Sequence, residues 1–181
     1  MSEAKTGAHR LLPDSERAQR LLAQRAAELR AGEQAEEMRG DPFLRFTCAG
    51  EAFGLPLARL DEILYPNGLR RVPGAPAHLA GVINRRGELL TVLDLAPLFS
   101  LTPGERGDDA RIVVVAAGGV TAGLLVDTVE DEGRFITEEL EPPFASAAVG
   151  NTAWVRGLHA GRVTLIDAEA LLTDPAIQVN E

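Results

Sequence analysis

Carboxylates, three histidines and one cysteine are the side chains of this 181-residue chain that could make or break bonds, and their spacing argues against it. His9, His78 and His159 are scattered, none with a second ligand at zinc spacing. Cys48 has no activating base near it in sequence, and no Gly-x-Ser-x-Gly elbow occurs. Two acidic runs, Asp127, Glu130, Asp131, Glu132 and then Glu138, Glu139, Glu141, lack the order of a calcium loop. They read as solvated surface charge. Asp94, between Leu93 and Leu95, is the carboxylate closest to a core, where a turn or cap role is expected. The chain is therefore expected to be no enzyme and to carry no metal and no cofactor. A small β-barrel enzyme or ligand-binding module using the acidic loops is the disfavoured alternative.

Cationic chemistry is more pointed. Gly81-Val82-Ile83-Asn84 runs into Arg85-Arg86-Gly87 and out through Leu89 to Leu95, the pattern of a β-hairpin. A hairpin tip is served by Asn-Gly or Asp-Gly, so two arginines there suggest recognition. A guanidinium presents a planar fork of donors to carboxylates or carbonyls, which lysine cannot reproduce. Upstream, Val72-Pro73-Gly74-Ala75-Pro76 cannot be helical, because each proline fixes its own φ and restricts its predecessor.

The elements that must position this hairpin are mostly β. Leu44, Phe46 and Cys48 alternate with Arg45 and Thr47; a turn follows at Ala49-Gly50, and Phe53, Leu55 and Leu57 keep the two-residue period. Cys48 shares its face with Leu44 and Phe46, the pattern of a buried structural thiol. Ala58 to Leu64 fits helix or strand equally. Leu95 to Phe99 reads as a short helical turn, and the polar loop Thr102 to Ala110 divides the pattern into halves. Ile112 to Val115 turns at Gly118-Gly119 and returns through Val126. Ala160-Gly161 leads into Val163 to Ile166, and a short helix spans Ala168 to Leu172. The fold class is all-β with short helices, a small barrel or sandwich.

The first forty residues differ. A helix starting near Pro13, capped by Asp14 or Ser15, would align Ala18, Leu21, Leu22, Ala26 and Leu29, with Gly32 interrupting it. This divides the chain into a helical or partly disordered extension, 1–41, and a domain, 42–181. Residues 1–40 carry equal numbers of acidic and basic groups, so the net charge of −9 sits on the rest. Such a domain repels phosphate backbones, which argues against nucleic acid and anionic membrane surfaces. No apolar run is long enough to span a bilayer and no signal-peptide core is present, so no membrane insertion is expected. With a lone cysteine, the expected compartment is the cytoplasm.

The central hairpin with its proline loop resembles the signature of the CheW-like family of chemotaxis coupling proteins, roughly VPxAPxxIxGVINLRGxVxPVIDLR. Val72-Pro73, Ala75-Pro76, Gly81-Val82-Ile83-Asn84, Arg86-Gly87 and Asp94-Leu95 match it. Phe53-Gly54 and Glu62-Ile63 upstream, and Gly123 to Asp131 and Val155 to Leu172 downstream, extend the likeness from Phe43 to the C-terminus. The resemblance implies two SH3-like β-barrels packed side by side with a hydrophobic groove between them. It also implies a non-catalytic adaptor between the cytoplasmic tips of methyl-accepting chemoreceptors and the regulatory domain of a CheA-type histidine kinase. Such an adaptor is recruited to membrane-associated receptor arrays; the alternative is the same scaffold in surface-motility or second-messenger control.

By the same resemblance Arg86 belongs to the partner-engaging surface, and Leu60 and Glu62 match a hydrophobic-x-Glu pair beside the receptor-facing groove. From the residues alone, Leu60 reads equally as plain core and Glu62 as an exposed charge. Gly81 matches a glycine of close backbone approach, Gly87 serves the turn, and Asn84 and Arg85 complete the candidate contact set. Three positions depart from the pattern: Arg85 stands for leucine, Thr91 for proline and Ala96 for arginine. Arg85 is expected to double the tip charge and retune which partner is accepted.

Overall fold

The computed structural model describes residues 15–37, 39–143 and 152–177. These fall into two compact units, 1–39 and 40–181. The first holds one helix, α1 (Ser15–Glu37), which runs through Gly32 rather than breaking there. A helix-interior glycine costs only about 1 kcal/mol relative to alanine, too little to stop a helix flanked by good helix formers. Leu21, Leu22 and Leu29 are exposed along it. Pro13 and Asp14, one of the two expected caps, lie outside the described residues.

Among the described residues the second unit holds ten strands. They are β1 (Asp41–Cys48), β2 (Glu51–Pro56), β3 (Leu60–Leu64), β4 (Leu79–Arg85), β5 (Glu88–Asp94), β6 (Arg111–Ala117), β7 (Val120–Val126), β8 (Thr128–Phe135), β9 (Val155–His159) and β10 (Val163–Ile166). Two short helices, α2 (Leu95–Leu98) and α3 (Ala168–Thr173), cap strand ends. The stretch that fitted helix or strand equally resolves into a single 3-10 turn, Leu57–Arg59, followed by β3.

The strands form two five-stranded sheets, ordered β8-β1-β2-β10-β9 and β3-β6-β7-β5-β4, each curling into a small SH3-like barrel. The second barrel is inserted whole between the first two and the last three strands of the first. The polar loop 102–110, expected to divide two halves, instead joins β5 to β6 within one barrel. Periodicity cannot reveal this, because the deciding pairings are the parallel ones, β2 with β10 and β5 with β7.

Burial explains why the strands read as they do. On β6, Ile112 and Val114 fill the second barrel with Ile83, Leu90, Val92 and Leu125. Val113 and Val115, on the opposite face, join a larger core between the barrels with Phe46, Phe53, Leu55, Phe99, Leu124 and Ile166. A strand buried on both faces must be a continuous apolar run, which Ile112 to Val115 is. The first barrel has its own small interior of Phe43, Phe135, Val163 and Leu165.

One ionic clasp lies beside the inter-barrel core. Arg106, from the 102–110 loop, donates to both carboxylate oxygens of Asp94 at 2.9 and 2.5 Å and to Asp127 at 3.1 Å. Asp94 also caps α2 by accepting from the Ala96 N–H, as its position between two leucines suggests. Asp127 accepts the Ala49 N–H at 2.7 Å, so it is a structural group and not the solvated charge its acidic neighbourhood implied. Burial works against the Arg106 cation, but the hydrogen bonds and charge of Asp94, with Asp127 adding, hold its pKa above the ordinary value. Glu130, Asp131 and Glu132 are exposed on the edge strand β8, where charge blocks edge-to-edge pairing.

Gly81 has φ +149°, and a Cβ there would lie 2.2 Å from the Arg70 carbonyl oxygen, so Gly81→Ala should cost about 3 kcal/mol in urea unfolding. Gly87, at φ +91° in open space, should cost only about 1 kcal/mol on the same change. Cys48 is fully buried, and desolvation, with Asp127 adding, pushes its thiol from 9.0 up to about 12. The native thiol should resist disulfide reagents at pH 8 and react only in denaturant. Between those two values the folded state holds a proton that the unfolded state has lost, so this group subtracts stability as pH rises above 9.0.

Candidate protein-docking site

β4 and β5 pair from Leu79↔Leu93 to Arg85↔Glu88, leaving Arg86-Gly87 as a two-residue turn. Both turn residues have positive φ, +52° and +91°, the type I′ geometry that matches strand twist. Asn84 braces it: its Oδ1 accepts the Gly87 N–H at 2.9 Å. Arg86, however, sits in a left-handed conformation that costs a side-chain-bearing residue about 1 kcal/mol. Asparagine would have served the turn better, so the turn does not explain the arginine.

The two arginines prove unequal. Arg86 is 77% exposed and Arg85 only 20%. Arg85 is the last residue of β4, and its guanidinium folds onto β3, where Nε donates to Glu62 Oε1 and a second nitrogen lies 2.5 Å from Asp61 Oδ2. The Glu62 hydrogen bond foremost, against desolvation and with Asp61 helping, raises the Arg85 pKa. Arg85 therefore does not double the tip charge as expected; two carboxylates neutralise it. Arg86 reaches the other oxygen of Glu62 at 3.1 Å, in an exposed pair of the kind that holds loosely.

Asp61 and Glu62 are adjacent, and on a regular strand they would face opposite ways. The pairing of β3 with β6 shifts register between Leu60 and Glu62, and such a bulge re-aims side chains so that both reach Arg85. Asp61 is the member of this cluster that sequence reasoning missed, since a bulge leaves no mark in composition. Leu60, paired with Val115, is half-buried against the inter-barrel core. Gly81 lies elsewhere on β4, pressed against Arg70, and its role is in the fold. The structure thus brings Arg85, Arg86, Glu62 and Asn84 together at one hairpin end, with Leu60 two residues from Glu62. Among the described residues, no group of three His, Cys, Asp or Glu side chains is placed to hold a metal.

Glu62 is shared between two arginines, so removing one should strengthen the hold on the other. Arg85→Leu should slow solvent exchange of the Arg86 Nη–H protons in NMR, and Glu62→Gln should speed it. Unchanged exchange in both variants would mean that Glu62 does not restrain Arg86.

Comparison with known proteins places the chain. A CheW-like domain family model matches residues 42–176. The chemotaxis protein CheW of Klebsiella aerogenes is 28% identical over 142 residues, spanning 77% of this chain and 86% of that protein. Protein PilI of Pseudomonas aeruginosa is 29% identical over 146 residues, 78% of this chain and 79% of its own length. The crystal structure of the scaffolding protein TtCheW from Thermoanaerobacter tengcongensis superposes with a TM-score of 0.69 at 26% identity, covering 77% of this chain and 92% of that one. With the signature hairpin, the paired five-stranded barrels and a family match across nearly the whole second unit, this chain belongs to the CheW-like domain family.

Proposed function

We propose that this protein is a non-catalytic coupling scaffold of a chemosensory pathway, joining chemoreceptor cytoplasmic tips to the regulatory domain of a CheA-type histidine kinase. The observation that carries the site assignment is Arg86: an exposed cation held at positive φ on a type I′ turn, tethered among the described residues by a shared carboxylate. A partner carboxylate or carbonyl competes with Glu62 for that guanidinium at little cost, because the exposed pair is weak. Arg85, itself bound by Asp61, then holds Glu62 in place. Leu60 adds apolar contact beside it, and Gly81 and Asn84 hold the strand and turn in register.

Coupling needs two partner sites on one body that transmits strain instead of absorbing it. The inter-barrel core supplies that stiffness. Weak individual contacts suffice, because an array multiplies them through effective concentration. No helix among the described residues is long and apolar enough to cross a membrane, so recruitment to receptor arrays runs through protein contacts in this reading. Residues 1–41 are an appendage to the scaffold domain, 42–181. PilI, a relative whose name is not that of a chemotaxis protein, favours a second reading: the same scaffold in surface-motility or second-messenger control.

Calorimetric titration against the kinase regulatory domain and a receptor-tip fragment from the same genome tests the proposal. Binding at about micromolar strength is expected for the kinase domain. Arg86→Glu should weaken receptor-tip binding roughly tenfold, about 1.4 kcal/mol, without lowering the melting temperature. No binding to any such kinase domain would overturn the coupling role. Intact binding of both partners by the Arg86→Glu variant would remove the site.

A further inference from the structure

Most arginines of the second unit are engaged within the chain. Arg45 pairs with Glu130, Arg59 with Glu169 and Arg106 with Asp94 and Asp127, while Arg111 lies over Tyr65 and Arg156 over Phe135. Arg70 and Arg71 are different: both are exposed, and neither guanidinium has an ion pair or hydrogen bond among the described residues. Two adjacent unquenched cations in an acidic domain are a local reversal of its field. Their backbone is fixed, since Arg70 exchanges N–H and C=O hydrogen bonds with Val82, each 2.9 Å long.

Arg71 borders a cavity of about 240 Å³ whose walls include Leu69, Val72, Pro76, Leu79 and Leu125. Val72 is 41% exposed, an open apolar lip. The Asp94–Arg106 pair also lines it, but there the charges neutralise each other, leaving Arg71 as the uncompensated charge of the lining. Small-molecule pockets run to about 300–1,000 Å³, so this space suits an aliphatic side chain better than a free metabolite. Pro73 and Pro76 stiffen the loop that forms it, which lowers the ordering cost of binding. A polyanion such as nucleic acid would meet the repulsion of the −9 chain around it.

We propose that this slot docks an acidic-apolar segment of a partner protein, an aliphatic side chain entering between Leu69, Val72 and Leu79 while a neighbouring carboxylate pairs with Arg71. It is a second interaction surface, distinct in residues from the hairpin end at Arg86, and it stands whether or not Arg86 contacts a receptor.

The test is an NMR titration of the full-length, 15N-labelled protein with the acetylated, amidated tetrapeptide Ala-Glu-Leu-Ala. Ala-Lys-Leu-Ala and Ala-Glu-Ser-Ala are the controls. The Glu-Leu peptide should give saturable shifts at the amides of Leu69, Val72, Leu79 and Ala80, half-complete on the order of 1 mM. Both controls should bind at least roughly fivefold more weakly. Arg71→Glu should invert the preference between the Glu-Leu and Lys-Leu peptides, while Arg70→Glu, which does not line the cavity, should keep its order. Equal shifts from all three peptides, or none from the Glu-Leu peptide at about ten times that concentration, would overturn the proposal. So would equal effects of Arg70→Glu and Arg71→Glu, which would mean diffuse charge and no slot.

Discussion

The apolar layer between the two barrels is the constraint on which the rest of this molecule depends. Each barrel alone encloses little: four buried side chains in one, six in the other. Phe46, Phe53, Leu55, Phe99, Val113, Val115 and Leu124 lie instead in the space the barrels share. Burying each such side chain stabilises by roughly 1.5–3 kcal/mol, so neither barrel is self-sufficient and the pair folds as one body. The chain path reinforces this, since the second barrel is inserted into the first and tied to it by two connections, β2 to β3 and β7 to β8.

This arrangement decides where charge can sit. The Arg106 clasp gathers Asp94 from the end of β5, Asp127 from the β7–β8 connection and, through Asp127, the Ala49 N–H after β1. Those strand ends belong to different barrels, and a half-buried guanidinium with three hydrogen-bonded oxygens ties them. Buried ion pairs of this kind are weak evidence for stability, because desolvation offsets much of the Coulomb gain. Their value here is geometric: Asp94 cannot cap α2 and pair with Arg106 in any other register. Burial is the main cause that raises the Cys48 thiol; the clasp adds Asp127's charge to it, and Arg106 partly offsets them.

Much of this was legible in the sequence, and the illegible parts share a cause. Two-residue alternation located β1 and β2, the proline loop and glycine turn located β4 and β5, and the apolar run of β6 announced a doubly buried strand. The signature residues carried the family, and the family carried the paired barrels, which alternation alone could not. Missing were the insertion of one barrel into the other, the clasp at Arg106 and the strand β8, whose acidic residues read as a solvated run. Each depends on contacts far apart in sequence, which no local pattern encodes. Arg85 was misjudged for a related reason: its position beside the tip was readable, but the bulge that turns Asp61 and Glu62 toward it was not.

That misjudgement bears on how the scaffold can discriminate. Read as a second tip cation, Arg85 would have added attraction toward any acidic partner. Folded onto β3, it instead occupies one oxygen of Glu62 and leaves the other for Arg86. A leucine at this position, as in the usual family pattern, could not hold Glu62, and the carboxylate would be left to Arg86 alone. The substitution therefore acts on availability: it keeps Arg86 less tightly quenched, and its added charge is taken up by Asp61, leaving the Asp61, Glu62, Arg85 and Arg86 cluster neutral. Affinity at such a rim is set by what a partner must displace as much as by what it brings. On the role proposed for Arg86, a partner would displace half of a shared carboxylate, and Arg85 would tune that exchange without touching the partner.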